Sequence, residues 1–150
     1  EGTEVFNGDI STWNVSNVTN MREMFRNASA FNQNINTARV NVDGINEYQA
    51  WNVANVTDMA NMFENATSFN QDIGAWNVSS VTDMGSMFRR ASAFNQDIST
   101  KVVNAGTGDE YTAWNVSNVE DMENMFEDAT VFNQDLSTWD VSSSFLFEDF

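Results

Sequence analysis

Apolar residues recur along the chain at fixed positions of a 25-residue unit. Four copies read W-N-V-x-x-V-x-x-M-x-x-M-F-x-x-A-x-x-F-N-Q-[DN]-[IL]-x-x; they begin at Trp13, Trp51, Trp76 and Trp114, and a partial copy begins at Trp139. Identical apolar positions at a period of roughly 20–50 residues are typical of repeats that stack around one continuous core. The pattern therefore predicts a solenoid that occupies residues 1–150 as a single domain.

One half of each copy has the spacing of an α-helix. Met59, Met62, Phe63 and Ala66 lie at i, i+3, i+4 and i+7, which places them on one helical face. The preceding Thr57-Asp58 offers side-chain oxygens that can accept the free amides of a first helical turn. We predict one short helix per coil, which depends on packing because about two turns are not stable alone.

The other half of each copy, from Phe69 to Val78 in the second, has no helical stripe but is rich in β-branched and aromatic residues. This composition favours a short strand. Strands at the same position of successive coils would run parallel, about 4.8 Å apart. The predicted fold class is an α/β solenoid that is leucine-rich-repeat-like, with one short parallel strand and one short helix per coil.

Two insertions interrupt the repeat. The distance between successive tryptophans alternates between 38 and 25 residues, because alternate copies carry 13 extra residues at 38–50 and 101–113. In the second insertion, Lys101-Val102-Val103 and Tyr111-Thr112-Ala113-Trp114 flank the turn Gly106-Thr107-Gly108-Asp109, and the first contains the turn dipeptide Asp43-Gly44. These signals predict two β-hairpins that project from one face, two coils apart.

Composition narrows the chemistry. The chain has no cysteine and no histidine, which removes thiolates and imidazoles as nucleophiles, bases and metal ligands. Its 22 acidic and 6 basic residues give a net charge of −16, which repels phosphate backbones and anionic lipid. No apolar run approaches 18 residues. We expect no nucleic-acid partner and no direct membrane insertion, whereas cationic partners and divalent ions remain.

Several motifs resemble a known family. The segments V-S-N-V-T-N-M-R-E-M-F, V-A-N-V-T-D-M-A-N-M-F and A-F-N-Q-D-I-S-T are similar to the repeats of BspA-type leucine-rich-repeat surface proteins, a group also described as mycoplasma surface-protein repeats of unknown function. The similarity extends from Phe6 to Trp139, and the terminal Ser143-Ser144-Phe145-Leu146-Phe147 departs from it. The resemblance implies an extracellular or cell-surface location and a role in adhesion or partner binding. It implies no enzymatic activity.

One acidic column is the candidate metal site. It comprises Asp9, Asp72, Asp97 and Asp135, with Asn34 at the same position of the first full copy. Carboxylate and amide oxygens are calcium ligands, so Ca²⁺ is the one cofactor that the sequence suggests. The alternative is a column whose carboxylates are either solvated or paired with hydroxyl groups.

The hairpins supply the candidate binding residues. Glu47-Tyr48 and Glu110-Tyr111 recur at the same position of the two insertions, and each pair sets an acid beside an aromatic ring. Irregular projections from a regular scaffold often carry binding specificity. The alternative is that the tyrosines only pack each hairpin onto its coil.

Two further columns have a structural interpretation. The tryptophans could stack on sugar rings, but a large aromatic residue repeated once per coil more often fills the interior. The asparagines that follow phenylalanine can bond the backbone of the next coil; they are Asn7, Asn32, Asn70, Asn95 and Asn133.

These observations favour a non-catalytic extracellular or cell-surface repeat domain for adhesion or for binding of a protein or a surface glycan, through the strand face and the hairpins. An alternative is a structural spacer or surface-coat segment, stabilised by calcium. An acid-catalysed glycan hydrolase is the weakest hypothesis, because the acids are spread one per coil rather than paired in one place. The chain starts inside a repeat, so we also expect self-association through end coils that lack a cap.

Overall fold

The computed structural model describes residues 4–41, 44–45 and 47–146. Its regular elements are four short strands: β1 (Ala38–Asn41), β2 (Glu47–Ala50), β3 (Lys101–Val103) and β4 (Tyr111–Ala113). None of the described residues is helical. The predicted α/β solenoid, with a leucine-rich-repeat-like helix and parallel strand in every coil, is therefore wrong. We use coils 1 to 4 for residues 13–37, 51–75, 76–100 and 114–138, which stack in chain order.

Consecutive turns replace the predicted helix. In coil 1, the amide of Met24 donates to the carbonyl of Met21 at 3.1 Å, and the amide of Ala28 donates to that of Phe25 at 3.0 Å. These bonds join residues three apart, whereas an α-helix joins residues four apart. Such turns also bring residues three and four apart to one side, which is why the sequence pattern resembles that of a helix.

The remaining amides of the same segment bond to the next coil. Met21, Glu23, Phe25 and Asn27 donate to the carbonyl oxygens of Asp58, Ala60, Met62 and Glu64 at 2.8–3.0 Å. Four equivalent bonds join coil 2 to coil 3, and four more join coil 3 to coil 4. Backbone donors that a helix would use internally therefore hold the stack together.

Two residues of each turn segment have left-handed backbone conformations, which an α-helix does not contain. Their φ values lie between 55° and 62°; the residues are Glu23, Asn61, Ser86 and Asn124 at the first position, and Asn27, Asn65, Arg90 and Asp128 at the second. Asparagine and aspartate adopt this conformation more readily than most residues. Four of these eight residues are asparagine and one is aspartate, in line with that preference.

Parallel pairing occurs in the half of the coil where a helix was predicted. Isolated parallel bridges connect Asn20 to Asp58, Asp58 to Asp83, Asp83 to Asp121, and Asp121 to Leu146. The segment from Phe69 to Val78, which was predicted to be the strand, contains no strand. Its aromatic and β-branched residues are explained by burial alone, since Phe69, Ile73, Trp76 and Val78 are all fully buried.

The core runs through the stack as columns of identical side chains. Met59, Met62, Phe63 and Ala66 are each 0% exposed, so the sequence identified the buried face correctly although the backbone is not helical. The rings of Phe25, Phe63, Phe88 and Phe126 stack with centroids 5.5–5.6 Å apart. Within the described part of the chain there is no helix with the length and apolar character needed to cross a membrane.

Polar ladders parallel the core. The side-chain oxygen of Asn32 accepts the amide of Asn70 at 3.0 Å and the Nε2 of Gln71 at 3.0 Å. The side-chain oxygens of Asn7, Asn70 and Asn95 accept equivalent bonds from the asparagine amide and the glutamine Nε2 of the next coil. The buried indoles also bond between coils, because Trp51, Trp76, Trp114 and Trp139 donate Nε1 to the carbonyls of Ile10, Ile35, Ile73 and Ile98 at 2.8–2.9 Å.

A charge column, defined as Arg26, Glu64, Arg89 and Glu127, alternates in sign from coil to coil. Glu64 is 4% exposed, and its carboxylate accepts from Arg26 Nε at 2.7 Å and lies 3.4 Å from Arg89 Nη1. Arg89 also pairs with Glu127 of coil 4. Each charge in the middle of the stack therefore has opposite charges in the neighbouring coils.

Candidate functional site: a cleft between two hairpins

The two insertions form antiparallel hairpins, as the sequence predicts. β1 pairs with β2 with Ala38 opposite Ala50, and β3 pairs with β4 with Lys101 opposite Ala113. The turn residue Asp43 lies outside the described residues, whereas Gly44 has a φ of 76°. Trp51 and Trp114, which follow the hairpins, have φ values of 50° and 48°. The insertions therefore share a geometry as well as a sequence pattern.

Equivalent bonds hold each hairpin against the stack. The Tyr48 hydroxyl donates to the carbonyl of Thr12 at 2.5 Å, and the Tyr111 hydroxyl donates to that of Ala75 at 2.5 Å. At the base of the first hairpin, Thr37 Oγ1 donates to the carbonyl of Trp51 at 2.8 Å, and Thr100 makes the same bond to Trp114. Each hairpin is thus anchored both to its own coil and to the one before it.

An open cleft of about 550 Å³ lies between the hairpins. It is lined by Arg39, Glu47, Tyr48, Gln49, Asp109, Glu110 and Tyr111. All four binding residues proposed from the sequence, Glu47, Tyr48, Glu110 and Tyr111, therefore surround one space. The tyrosines pack as the alternative interpretation expects, because their hydroxyls bond to the coil, yet their side chains also form part of the cleft wall.

Arg39 is the residue that joins the two sides of the cleft. It donates from Nη1 to Glu47 Oε1 at 2.7 Å, across its own hairpin, and it pairs with Asp109 of the other hairpin. Hydrogen bonding to Glu47 and the charge of Asp109 raise the pKa of the Arg39 guanidinium. The cleft thus already holds one cationic group between carboxylates of both hairpins.

The electrostatics of the cleft are dominated by acids. Among the described residues, three carboxylates and one guanidinium line it, so these side chains carry a net charge of −2 at neutral pH. Glu110 additionally accepts the amide of Gly106 at 2.8 Å, which orients its carboxylate within the second hairpin. Burial raises the pKa of the Tyr111 hydroxyl, so it remains neutral. An acidic cleft with two aromatic walls suits a cationic ligand.

Sequence reasoning missed Arg39, Gln49 and Asp109 as cleft residues. A signal was present, because aligning the insertions places Arg39 opposite Val102 of the other copy, and Arg39 is the only basic residue of the first insertion. Arg39 contacts Asp109 because the two hairpins lie close to each other in space. Spacing along the chain does not determine this approach.

The acidic column proposed for calcium has a local role in the structure. Each carboxylate accepts a backbone amide two residues later: Asp9 from Ser11, Asp72 from Gly74, Asp97 from Ser99 and Asp135 from Ser137, at 2.7–2.9 Å. Hydrogen bonds from Ser99, together with Lys101, lower the pKa of Asp97 to about 2. Bonds from Ser11 and Ser137 likewise lower the pKa values of Asp9 and Asp135.

The column does not gather into a metal centre. Among residues 4–41, 44–45 and 47–146, no three acidic side chains come close enough together to hold a metal ion. Asp72 is bonded instead by Asn36 Nδ2 at 3.1 Å, and Asp97 by Lys101 Nζ at 3.0 Å. The four carboxylates thus stabilise turns and neighbouring side chains, and calcium binding by this column stays a prediction.

The first coil exposes part of the core. Trp51, Trp76 and Trp114 are fully buried and Trp139 nearly so, as the packing interpretation of this column expects, but Trp13 is 47% exposed. A recess of about 160 Å³ there is lined by Phe6, Trp13, Met24 and Phe25. Self-association through this end stays a prediction.

Stacked 25-residue coils with two matched insertions define a repeat protein whose regular positions serve the stack. The chain belongs to the family described as "Mycoplasma protein of unknown function, DUF285", whose model matches residues 1–47 and 37–149. This assignment agrees with the mycoplasma-type repeat that the sequence motifs resemble. No curated protein and no solved structure matches the chain.

Proposed function

We propose that this chain is a non-catalytic binding domain that mediates adhesion by holding a protein or glycan ligand in the cleft between its hairpins. One observation carries the proposal: the two Glu-Tyr pairs, which lie 63 positions apart in the sequence, line the same cleft. The stack itself needs neither insertion, since at Thr12-Trp13 and Ala75-Trp76 one copy of the repeat follows another with no extra residues between them. The hairpins therefore add a surface that the fold does not require.

The environment of the carboxylates supports binding rather than catalysis. The side chains of Glu47 and Asp109 are 51% and 58% exposed, and both pair with Arg39. A general acid needs a carboxyl group that remains protonated near neutral pH, which usually requires burial or a second carboxylate close by. Exposed carboxylates that are paired with arginine serve ligand recognition better than proton transfer.

The cellular location belongs to the same proposal. The resemblance to BspA-type surface repeats and the net charge of −16 are in keeping with an extracellular or cell-surface domain. An acidic exterior favours cationic ligands, disfavours nucleic acid, and keeps the chain from docking on anionic lipid. The expected partner is therefore a protein or a surface glycan.

The test compares the native chain with a variant in which 38–50 and 101–113 are deleted. The deletions join Thr37 to Trp51 and Thr100 to Trp114, which recreates the connection found at Thr12-Trp13. Both proteins are applied to one array of oligosaccharides and to one of basic, neutral and acidic peptides. We expect the native chain to bind members of one array and the deletion variant to bind none.

A second variant is the control for loss of binding that results only from misfolding of the deletion variant. Glu47→Lys with Glu110→Lys reverses two charges of the cleft and leaves both tyrosines and both hairpins in place. It should lose the same ligands while keeping the thermal melting temperature of the native chain. Absence of binding by the native chain on both arrays, or binding that survives both variants, would contradict a role for the cleft. Release of products from any oligosaccharide would overturn the non-catalytic assignment.

The second candidate function is a structural spacer or surface-coat segment. The observation that favours it is the continuity of the ladders, since backbone and asparagine bonds join every neighbouring pair of coils 1 to 4. A spacer requires this rigidity and no ligand. It predicts that deleting both hairpins has no effect on the attachment of a cell that displays the chain.

A further inference from the structure

We infer that the cleft selects an extended, basic protein segment whose two cationic side chains lie three residues apart. This inference rests on the proposed binding function and specifies its ligand. It starts from the charge of the cleft, where, among the described lining residues, Arg39 is the one cation set against Glu47, Asp109 and Glu110. Two cationic side chains supplied by a ligand would neutralise the remaining charge.

Arg39 shows which chemistry the carboxylates accept. Its guanidinium bonds to Glu47 at 2.7 Å and pairs with Asp109, so it connects acids of both hairpins. The second hairpin lacks an equivalent, because Val102 stands at the position that corresponds to Arg39 and is 56% exposed. The Glu110-Tyr111 side of the cleft therefore has the acid and the aromatic ring without a guanidinium of its own.

The bonding of the tyrosines favours a cation over a sugar. Both hydroxyls already donate to main-chain carbonyls, that of Thr12 for Tyr48 and that of Ala75 for Tyr111. Those donors are therefore not offered to the hydroxyl groups of a glycan, whereas the rings remain part of the cleft wall. An aromatic ring beside a carboxylate attracts a guanidinium or ammonium group through both its π-face and the neighbouring charge.

The stack sets the distance between the two sites. Thr12 and Ala75, to which the tyrosines are anchored, immediately precede the tryptophans of coils 1 and 3 and are therefore two coils apart. Parallel pairing separates neighbouring coils by about 4.8 Å, which places the two Glu-Tyr pairs about 10 Å apart. A polyproline II segment advances about 3.1 Å per residue with three residues per turn, so residues i and i+3 lie on one side about 9 Å apart.

The test uses synthetic peptides of identical composition that carry two arginines at i and i+1, i and i+3, or i and i+6 in a proline-rich background. Binding to the native chain is measured by fluorescence anisotropy at physiological salt. We expect the i,i+3 peptide to bind about fivefold more tightly than either of the others, as exposed charge pairs allow. A neutral oligosaccharide series is measured in parallel.

Two matched variants place the effect in the cleft. Glu47→Gln with Glu110→Gln removes one carboxylate from each side, and we expect it to abolish the preference for the i,i+3 spacing. Glu23→Gln with Asp128→Asn removes the same charge from exposed positions outside the cleft and should leave that preference intact. Both variants are checked for an unchanged melting temperature, so that loss of folding is not mistaken for loss of binding.

The outcomes separate this inference from the function on which it rests. Equal affinity for all three spacings, or equal loss in both variants, would overturn the inference and indicate attraction by net charge alone. Binding of a neutral oligosaccharide that depends on Tyr48 and Tyr111, without binding of any peptide, would also overturn it while preserving the proposed binding function. Absence of all cleft-dependent binding would contradict both.

Discussion

Gly74 stands where the other copies of the repeat have a side chain. The corresponding residues are Ser11, Asn36, Ser99 and Ser137. A Cβ at Gly74 would lie 2.8 Å from the carbonyl oxygen of Asp97 and 2.8 Å from Lys101 Nζ. Lys101 begins the second hairpin and bonds to Asp97 at 3.0 Å. Glycine is therefore needed here because the next coil brings backbone and a lysine side chain into the space of a side chain.

This close approach predicts that restoring the consensus residue destabilises the chain. Gly74→Ser should lower the free energy of unfolding in urea by about 1–3 kcal/mol, the usual penalty for overpacking. Gly108→Ser is the matched control, since a Cβ there meets nothing within 4 Å, and its effect should stay within about 0.5 kcal/mol. If Gly74→Ser were as stable as the native chain, the packing described between coils 2 and 3 would be wrong.

At the scale of the element, the turn segment can be distinguished from a helix by one residue. Asn124 has a φ of 55°, in the left-handed region that glycine tolerates and alanine does not. A helix would show the opposite preference, since alanine is the best helix former and glycine is among the poorest. The order of stability among variants at this position therefore reports the backbone conformation.

We expect Asn124→Gly to be close to the native chain, and Asn124→Ala to be less stable by about 1 kcal/mol in urea denaturation. For a domain of this size that difference lowers the melting temperature by roughly 2–4 °C. The reverse order of stability, with the alanine variant more stable than the glycine variant, would contradict the left-handed turn and support the helix that the sequence pattern predicts.

The sequence revealed the repeat, the buried positions and the hairpins, but not the backbone conformation of the coil. Met59, Met62, Phe63 and Ala66 are buried as predicted, because periodicity records which side faces the core. It does not record which carbonyl oxygens accept the backbone amides, and in the turn segment alternate amides donate to the next coil. The residue that distinguishes the turn from a helix is Asn61, two positions after Met59. The hydrophobic periodicity classes it as an exposed polar position, but its backbone is in the left-handed region.

The candidate site was predicted in part for a related reason. Glu47, Tyr48, Glu110 and Tyr111 could be found because the super-repeat aligns them, and alignment identifies equivalent positions. The contact of Arg39 with Asp109 joins positions that are not equivalent, so no repeat pattern indicates it. It depends on the two hairpins leaning towards each other in three dimensions.

For the whole molecule, the net charge of −16 is the main electrostatic fact. Like charges on a compact chain repel one another, and dissolved ions screen that repulsion. Because each carboxylate of the acidic column accepts the amide two residues later and these acids gather into no metal centre among the described residues, we expect divalent ions to act by screening.

The corresponding prediction concerns thermal melting in calcium and in magnesium. Both ions at the same millimolar concentration should raise the melting temperature by the same amount, and sodium chloride of matched ionic strength should account for much of the rise. A larger rise in calcium that Asp72→Asn removes would instead establish the calcium site that the sequence suggests. Asp128→Asn serves as the control for the loss of one exposed charge.

The alternating charge column bears on how a chain of near-identical coils avoids assembling in the wrong order. The core side chains of coils 2 and 3 are alike, so apolar packing alone would let coil 1 dock on coil 3 and leave coil 2 looped out. Such a mispairing would set Arg26 against Arg89, and docking of coil 2 on coil 4 with coil 3 looped out would likewise set Glu64 against Glu127. Repulsion between like charges would raise the free energy of an arrangement that skips a coil. The charge column, which lies outside the repeated pattern, would therefore favour the correct order of the coils during folding.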